Sequence, residues 1–243
     1  MRNCLLLLLL LLQVSISNGQ DNTLSKKQVK KGWVRLFDGQ TTNGWKGAFI
    51  DQFPSHGWEV KDGMLIVEPS GGAESTNGGD IVTTELFSDF ELLVDFKLTE
   101  GANSGIKYFV DPGQDIPGQP RSAFGLEFQV LDDARHPDAK LGRNGNRTLG
   151  SLYDLIPAPA NKPMNPVGEW NHARIVSKGR HVEHWLNGVK LLEYERGSQA
   201  FLDLIAISKY KDIPGFGLGN SGRILLQDHG DRVYFRNIYL RKL

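Results

Sequence analysis

Four short polar stretches carry side chains that could do chemistry if the fold brings them together. In GLEFQVLDDARHP, Glu127 and Gln129 alternate with Phe128 and Val130, and Asp132 and His136 follow. Alternation of this kind puts Glu127 and Gln129 on one face of a strand and the apolar pair on the other. GANSGIKYFV places Asn103 and Lys107 on a shared face, and LLQDHG does the same for Gln227 and His229. GGDIVTTELF carries Asp80 and Glu85 just ahead of an apolar strand, and His184 in HVEHWLNG is a fifth candidate. Such a set offers carboxylates and imidazoles for proton transfer, a lysine for charge stabilisation, and amides that both donate and accept hydrogen bonds. Each member also has a plainer reading. A carboxylate on a strand faces water, Asn103-Ser104-Gly105 and Asp80 after two glycines form turns, and His229 before Gly230 caps one. Coincidence on strands expected to be neighbours is what favours a site.

The elements that must position these residues are short. From Gly32 onward, alternating runs recur with Gly, Asn, Asp or Pro between them, which reads as all-β. DFELLVDFKL sets Phe90, Leu92, Val94, Phe96 and Leu98 on one face, against Glu91, Leu93, Asp95 and Lys97. Asn187-Gly188 and Asp62-Gly63 mark two tight hairpins. The best helical candidate is a turn or two around Gln199–Ile207. Nine or more strands with long polar loops, at 111–122 and 132–151, predict a two-sheet antiparallel sandwich of jelly-roll type. The five tryptophans are expected in the core more than as sugar platforms.

Composition narrows the class. The 28 basic residues balance 28 acidic ones, which offers nothing to nucleic acid or to a membrane surface. Arg2, the apolar run Leu5–Leu12 and small residues at Ser15, Ser17 and Gly19 describe a secretory signal, with cleavage expected after Ser17 or Gly19. That run is too short for a membrane span. Cleavage would remove Cys4, the single cysteine, and with it any disulfide or thiolate chemistry. Residues 20–31 (QDNTLSKKQVKK) read as a flexible leader and 32–243 as one domain. The expected product is an exported, periplasmic or secreted protein. Asn146-Arg147-Thr148 matches a glycosylation sequon, which in a bacterial chain would be chance.

Familiar catalytic signatures are missing: no phosphate-binding glycine loop, HExxH, nucleophile elbow or CxxC. A family resemblance is present instead. LFDGQTTNGW, GWEVKDGMLIV, GGDIVTTELFSDFELLVDFKL, NSGIKYFV, GLEFQVLDDARHPDA, SLYDL, GEWNHARIVSKGRHVEHWLNGVKLLEY and VYFRNIYLRKL resemble, in order, the 3-keto-disaccharide hydrolase domain family. The resemblance runs from about Val34 to Leu243 and implies a concanavalin A-like sandwich and exported bacterial relatives.

It also implies a chemistry. A sugar oxidised at C3 has an acidified C2 proton, because the carbanion delocalises onto the ketone. Losing that proton can expel the C1 oxygen, and water can then add for net hydrolysis, or the unsaturated product can leave. Such a route needs a base near C2 and a cation or acid at the enolate. A divalent metal ion would serve as that cation, and no organic cofactor is called for. Glu127, His136, His184 and His229 are the candidates for proton transfer. Asp80, Glu85, Asn103, Lys107, Gln129, Asp132 and Gln227 are the candidates for binding substrate. An oxidoreductase elsewhere in the pathway must make the keto sugar. Two alternatives stay open: an ordinary two-carboxylate glycosidase pairing Glu127 with Asp80, Glu85 or Asp132, and a non-catalytic carbohydrate-binding module on the same fold.

Overall fold

The computed structural model describes residues 21–71, 75–112 and 122–243. The expected signal segment and the middle of the 111–122 loop lie outside the described residues. Thirteen strands are described: β1 (Val34–Arg35), β2 (Trp45–Gly47), β3 (Trp58–Lys61), β4 (Met64–Val67), β5 (Ile81–Thr83), β6 (Phe90–Leu98), β7 (Asn103–Val110), β8 (Leu126–Leu131), β9 (Trp170–Lys178), β10 (His181–Leu186), β11 (Val189–Glu195), β12 (Arg223–Leu226) and β13 (Val233–Lys242). They form an antiparallel sandwich. One sheet of eight strands runs β11-β10-β9-β6-β13-β4-β3, with β1 also on β13; the other, of five, runs β2-β5-β12-β7-β8. Sequence alternation anticipated most of this but not β2 or β5, which are three residues each and too short to show a period.

Both hairpins form where Gly follows Asn or Asp. Asp62 and Gly63 have φ of 50° and 74°, and Asn187 and Gly188 have φ of 48° and 83°, the left-handed pair that a type I′ turn requires. Between the sheets, Phe90, Leu92, Val94, Phe96 and Leu98 of β6 meet Ile106 and Tyr108 of β7 and Leu126, Phe128 and Val130 of β8. Fully burying each large side chain contributes roughly 1.5–3 kcal/mol. Both faces of the five-stranded sheet are covered. Val82, Val110 and Leu225 point away from the main core into a small apolar cluster with Ala48 and Ala123, so the other face of this sheet is also partly withdrawn from water.

Two helices flank the sandwich. α2 (Gln199–Ala206) falls where the sequence suggested, with Ser198 as its N-cap and Phe201 buried against Tyr194. α1 (Lys26–Lys30) departs from the expected flexible leader. Ser25 and Gln28 form a capping box, and Asn22 is buried, exchanging reciprocal hydrogen bonds with Asn237 at 2.6 and 2.9 Å. Those tertiary bonds hold residues that look polar and unstructured in sequence.

His184, a candidate for proton transfer, is placed in the core. Its β10 neighbours alternate so that Val182, His184 and Leu186 turn inward. Gly150 O accepts from Nδ1 at 3.1 Å, so Nε2 accepts from the Tyr108 hydroxyl at 2.7 Å, which in turn accepts from Tyr194 at 2.6 Å. Every polar atom is satisfied without a charge, and burial pushes the imidazole down to about 4. Its folded value lies below the unfolded one, so the unfolded chain takes the proton first as pH falls. His184 therefore costs stability on the order of 3 kcal/mol between pH 6.5 and pH 4. Chemical denaturation of His184→Gln, which keeps one donor and one acceptor, is expected to show a shallower loss over that interval than the parent protein.

Candidate active site

The polar face of the five-stranded sheet gathers most of the candidates by register. Lys107 pairs with Glu127 and Gly105 with Gln129 across β7 and β8. On the other side of β7, Leu225 pairs with Lys107, while Leu226 pairs with Ile81 of β5. Continuing that ladder by one residue brings Gln227 opposite Asp80. Asp80, Asn103, Lys107, Glu127, Gln129 and Gln227 are all buried. Lys107 Nζ lies 3.9 Å from Asp80 Oδ2, and its cross-strand neighbour is Glu127, so one ammonium stands between two acids.

Gly105 makes this crowding possible. A Cβ there would fall 2.3 Å from Glu127 Oε1 and 3.2 Å from Gln227 Oε1. Its conformation is an ordinary extended one, and glycine is needed for close approach, not for φ. Gln129 is best satisfied with its amide nitrogen donating to Glu127 Oε1 at 3.0 Å and to Ser104 O at 3.1 Å, which fixes the glutamate across the glycine. Asp80 is fixed from the other side: its Oδ1 accepts from Asp228 N at 2.9 Å and Ser75 Oγ at 3.2 Å. Asp228, fully buried, accepts from the amides of Gly79 and Gly230 at 3.1 and 3.0 Å. Burial raises its carboxyl above the ordinary range.

At one end of this face stand His136, His229 and Asp231, whose ligand-capable atoms lie within 4.8 Å of one another. The imidazoles meet edge to face with centroids 6.0 Å apart. Burial lowers His136, and the neighbouring His229 lowers it further. Asp231 Oδ2 also accepts from Asn103 N at 3.0 Å, tying this end to β7. Two imidazoles and one carboxylate suit a first-row divalent ion by donor type. His136 Nδ1 accepts a 3.2 Å contact from Asp138 N, which it would give up to present an unprotonated nitrogen to a metal. On that condition the donor set fits.

Several residues that sequence reasoning passed over complete the surroundings. Tyr153 N donates to Glu127 O at 3.1 Å. Burial, then the Glu127 charge, holds its phenol far above the ordinary value, so it stays protonated. Arg147 spans Asp154 at 2.8 Å and Asp138 at 3.0 Å, and Lys209 Nζ sits 4.2 Å from the Tyr153 ring centroid. SLYDL and NGNRTL carry no spacing that marks Tyr153 or Arg147 as functional, and Asp231 looks like any turn residue. Asn146 of the sequon is buried with its oxygen accepting from Arg143 N, so it cannot carry a glycan in the fold.

Two expected binders lie elsewhere in role or place. Glu85 is exposed and pairs with Lys242 at the end of β13, away from the cluster, because the chain has already left β5 by that point. Asp132 is buried, with its carboxylate accepting from Gly101 N at 2.8 Å and Ala134 N at 3.1 Å. Its carbonyl also accepts from His136 N at 2.9 Å. Asp132 shapes the turn that delivers His136.

The antiparallel sandwich thus withdraws acids, amides and a lysine onto one sheet face, with two imidazoles at its end. The chain belongs to the 3-keto-alpha-glucoside-1,2-lyase-like domain family, whose model matches residues 32–241. It is 40% identical over 232 residues to the 3-keto-disaccharide hydrolase of Bacteroides thetaiotaomicron, covering 87% of this chain and 79% of that protein. A crystal structure of a candidate glycosyl hydrolase from Parabacteroides distasonis superimposes with a TM-score of 0.78 at 30% identity, covering 92% of this chain and 100% of that one. A second from the same organism gives 0.56 at 27% identity, with 83% and 100% covered. The protein is an enzyme of this carbohydrate-active family.

Two outcomes are expected from this geometry. Gly105→Ala should displace the Glu127 carboxylate and lower kcat/KM by about a hundredfold or more, the range of a lost proton-transfer group; kinetics beside a melting curve separates this from misfolding. Calorimetric titration with Mn²⁺ or Zn²⁺ should show saturable binding that His229→Ala removes.

Proposed function

We propose that the protein cleaves glycosidic bonds of 3-keto-glycosides, 3-keto-disaccharides among them, by removing the C2 proton and expelling the C1 oxygen. The observation that carries this reading is the placement of buried Glu127 directly across from Lys107 on a sheet face rich in amides. The names of the family and of its Bacteroides relative support the substrate class.

Glu127 is the base in this scheme. Gln129 and Gly105 hold its carboxylate at one place, which matters because proton transfer needs donor and acceptor within hydrogen-bond reach. Taking the C2 proton sends its electron pair toward the C3 ketone, and negative charge appears on that oxygen. Lys107 is the ammonium next to the base and faces that developing charge. The enolate then reforms the ketone, a C1–C2 double bond appears, and the C1–O bond breaks. The proton held by Glu127 returns to the departing oxygen, and addition of water across the double bond makes the sum a hydrolysis. Asn103, Gln129 and Gln227 orient hydroxyls through their paired donors and acceptors. A divalent ion on His136, His229 and Asp231 would add Lewis-acid stabilisation at an anionic oxygen.

The scheme asks for C3 oxidation beforehand, so a dehydrogenase-class enzyme must supply the substrate. Residues 1–19 read as a secretory signal, which puts the reaction outside the cytoplasm. Among the described residues, no helix is long and apolar enough to cross a membrane.

Purified protein incubated with methyl 3-keto-glucoside and with its unoxidised parent tests this reading. Cleavage of the keto sugar alone is expected, with C2 deuterium appearing in product formed in D₂O. Glu127→Gln should slow it by about 10²–10⁴. Equal cleavage of the unoxidised parent would replace this scheme with an ordinary two-carboxylate hydrolysis.

A further inference from the structure

The eight-stranded sheet has an outer face of its own, on the side of the sandwich opposite Glu127, and it carries a cup of about 390 Å³. Register lines up Tyr239, Leu93, Arg174 and Trp185 across β13, β6, β9 and β10. These residues line the cup, and Gln28 of α1 adds to its wall. Arg174 lies over the Trp185 ring with its guanidinium carbon 4.6 Å from the centroid.

Beside that row is a polar group of three. Asp95 pairs across the strands with His172, and its Oδ1 lies 2.6 Å from His172 Nδ1. Asp95 Oδ2 accepts from Asn237 Nδ2 at 2.8 Å. Asn237 reaches the carboxylate from an irregularity in β13 between Arg236 and Tyr239, where its φ is 50°. Arg236 Nε lies 3.7 Å from the same Oδ2; a carboxylate offers about four acceptor positions, so Asp95 keeps capacity beside these partners. His172, with 60% of its side chain exposed, has Nε2 as its second polar atom.

We infer that this cup is a second carbohydrate-binding site, taking one pyranose unit of a neutral saccharide away from the cleavage chemistry. A pyranose has an apolar C–H face and a rim of hydroxyls that each donate and accept. Leu93, Trp185 and Tyr239 match the first property. Asp95 and His172 Nε2 as acceptors (the ring's Nδ1–H being donated to Asp95), with Arg174 as donor, match a vicinal pair of hydroxyls. The volume lies in the range of small-ligand pockets, which combine apolar walls with a few placed polar groups. An inorganic anion is a poorer match, because Asp95 lines the cup and Glu91 accepts from Arg174 Nε at 2.5 Å. With sites on opposite faces, the enzyme can hold a saccharide surface by one sheet while the other turns over substrate.

Trp185 supplies the reporter through its indole N–H resonance in NMR, assigned by its loss in Trp185→Phe. The parent protein and Glu127→Gln are titrated with methyl glucoside, methyl mannoside, methyl galactoside and inorganic phosphate. At least one glycoside is expected to shift the Trp185 signal saturably in both proteins. Binding should weaken about tenfold in His172→Ala, the worth of one hydrogen bond, and should vanish in Leu93→Trp, which fills the cup. Turnover of the keto substrate should be unchanged in both cup variants. An unmoved Trp185 resonance with all three glycosides, a response to phosphate alone, or undiminished binding in Leu93→Trp would overturn the inference. None of the binding readouts depends on the cleavage scheme.

Discussion

Charge withdrawn from water on one face of the five-stranded sheet is the constraint around which the rest is arranged. Asp80, Lys107 and Glu127 are all buried, and an ionised group in such a place needs opposite charge and hydrogen bonds to remain charged. The antiparallel register supplies the first by setting Lys107 beside Glu127 and near Asp80. Backbone amides and side-chain amides supply the second, through Asp228 N to Asp80 and Gln129 to Glu127. Glycine at 105 leaves room for these groups to converge. A site of this type is pre-organised before a substrate arrives, since its dipoles have nowhere else to point.

The two faces of the sheet have divided tasks. Inward residues Ile106, Tyr108, Leu126 and Phe128 join the core and set the position of the strands. Outward residues of the same strands are then free to be polar. The division extends to the histidines. His184 faces inward, is bonded at both nitrogens and stays neutral. His136 and His229 lie on turns at the sheet's end, where a 3₁₀ turn at Pro137–Lys140 and the Asp228 network set them edge to face. Identical side chains thus serve packing in one place and candidate ligation in another.

The eight-stranded sheet repeats the arrangement with different chemistry. Its outer face carries cations laid over rings, as with Arg236 and Lys97 on Trp170 and Arg174 on Trp185. Trp170 and Trp185 are only half-buried for this reason, whereas Trp33, Trp45 and Trp58 are buried as expected of core residues. Held by Asn22 and Asn237, the segment carrying α1 packs on this outer face.

Local pattern in the chain was sufficient for the all-β class, both type I′ hairpins, α2 and the division of β6 into two faces, because alternation and turn chemistry act over a few residues. It was also sufficient to pick out Glu127, Gln129, Lys107 and Gln227 as polar residues on strands, and the order of motifs indicated the family. Which of those residues meet was decided only by tertiary structure. Alternation says that a residue is on one face or the other, never which face looks inward, so His184 and Glu127 were indistinguishable until the sheets packed. Asp132 could not be known as a turn-former before Gly101 came within 2.8 Å. Nor could Glu85 be placed before Lys242, 157 residues later, claimed its carboxylate. Tyr153, Arg147 and Asp231 enter through loops whose path has no period to read, and Asn22 is ordered by a partner 215 residues away. Contacts of that separation depend on the closure of the whole sandwich, which no short stretch of sequence encodes.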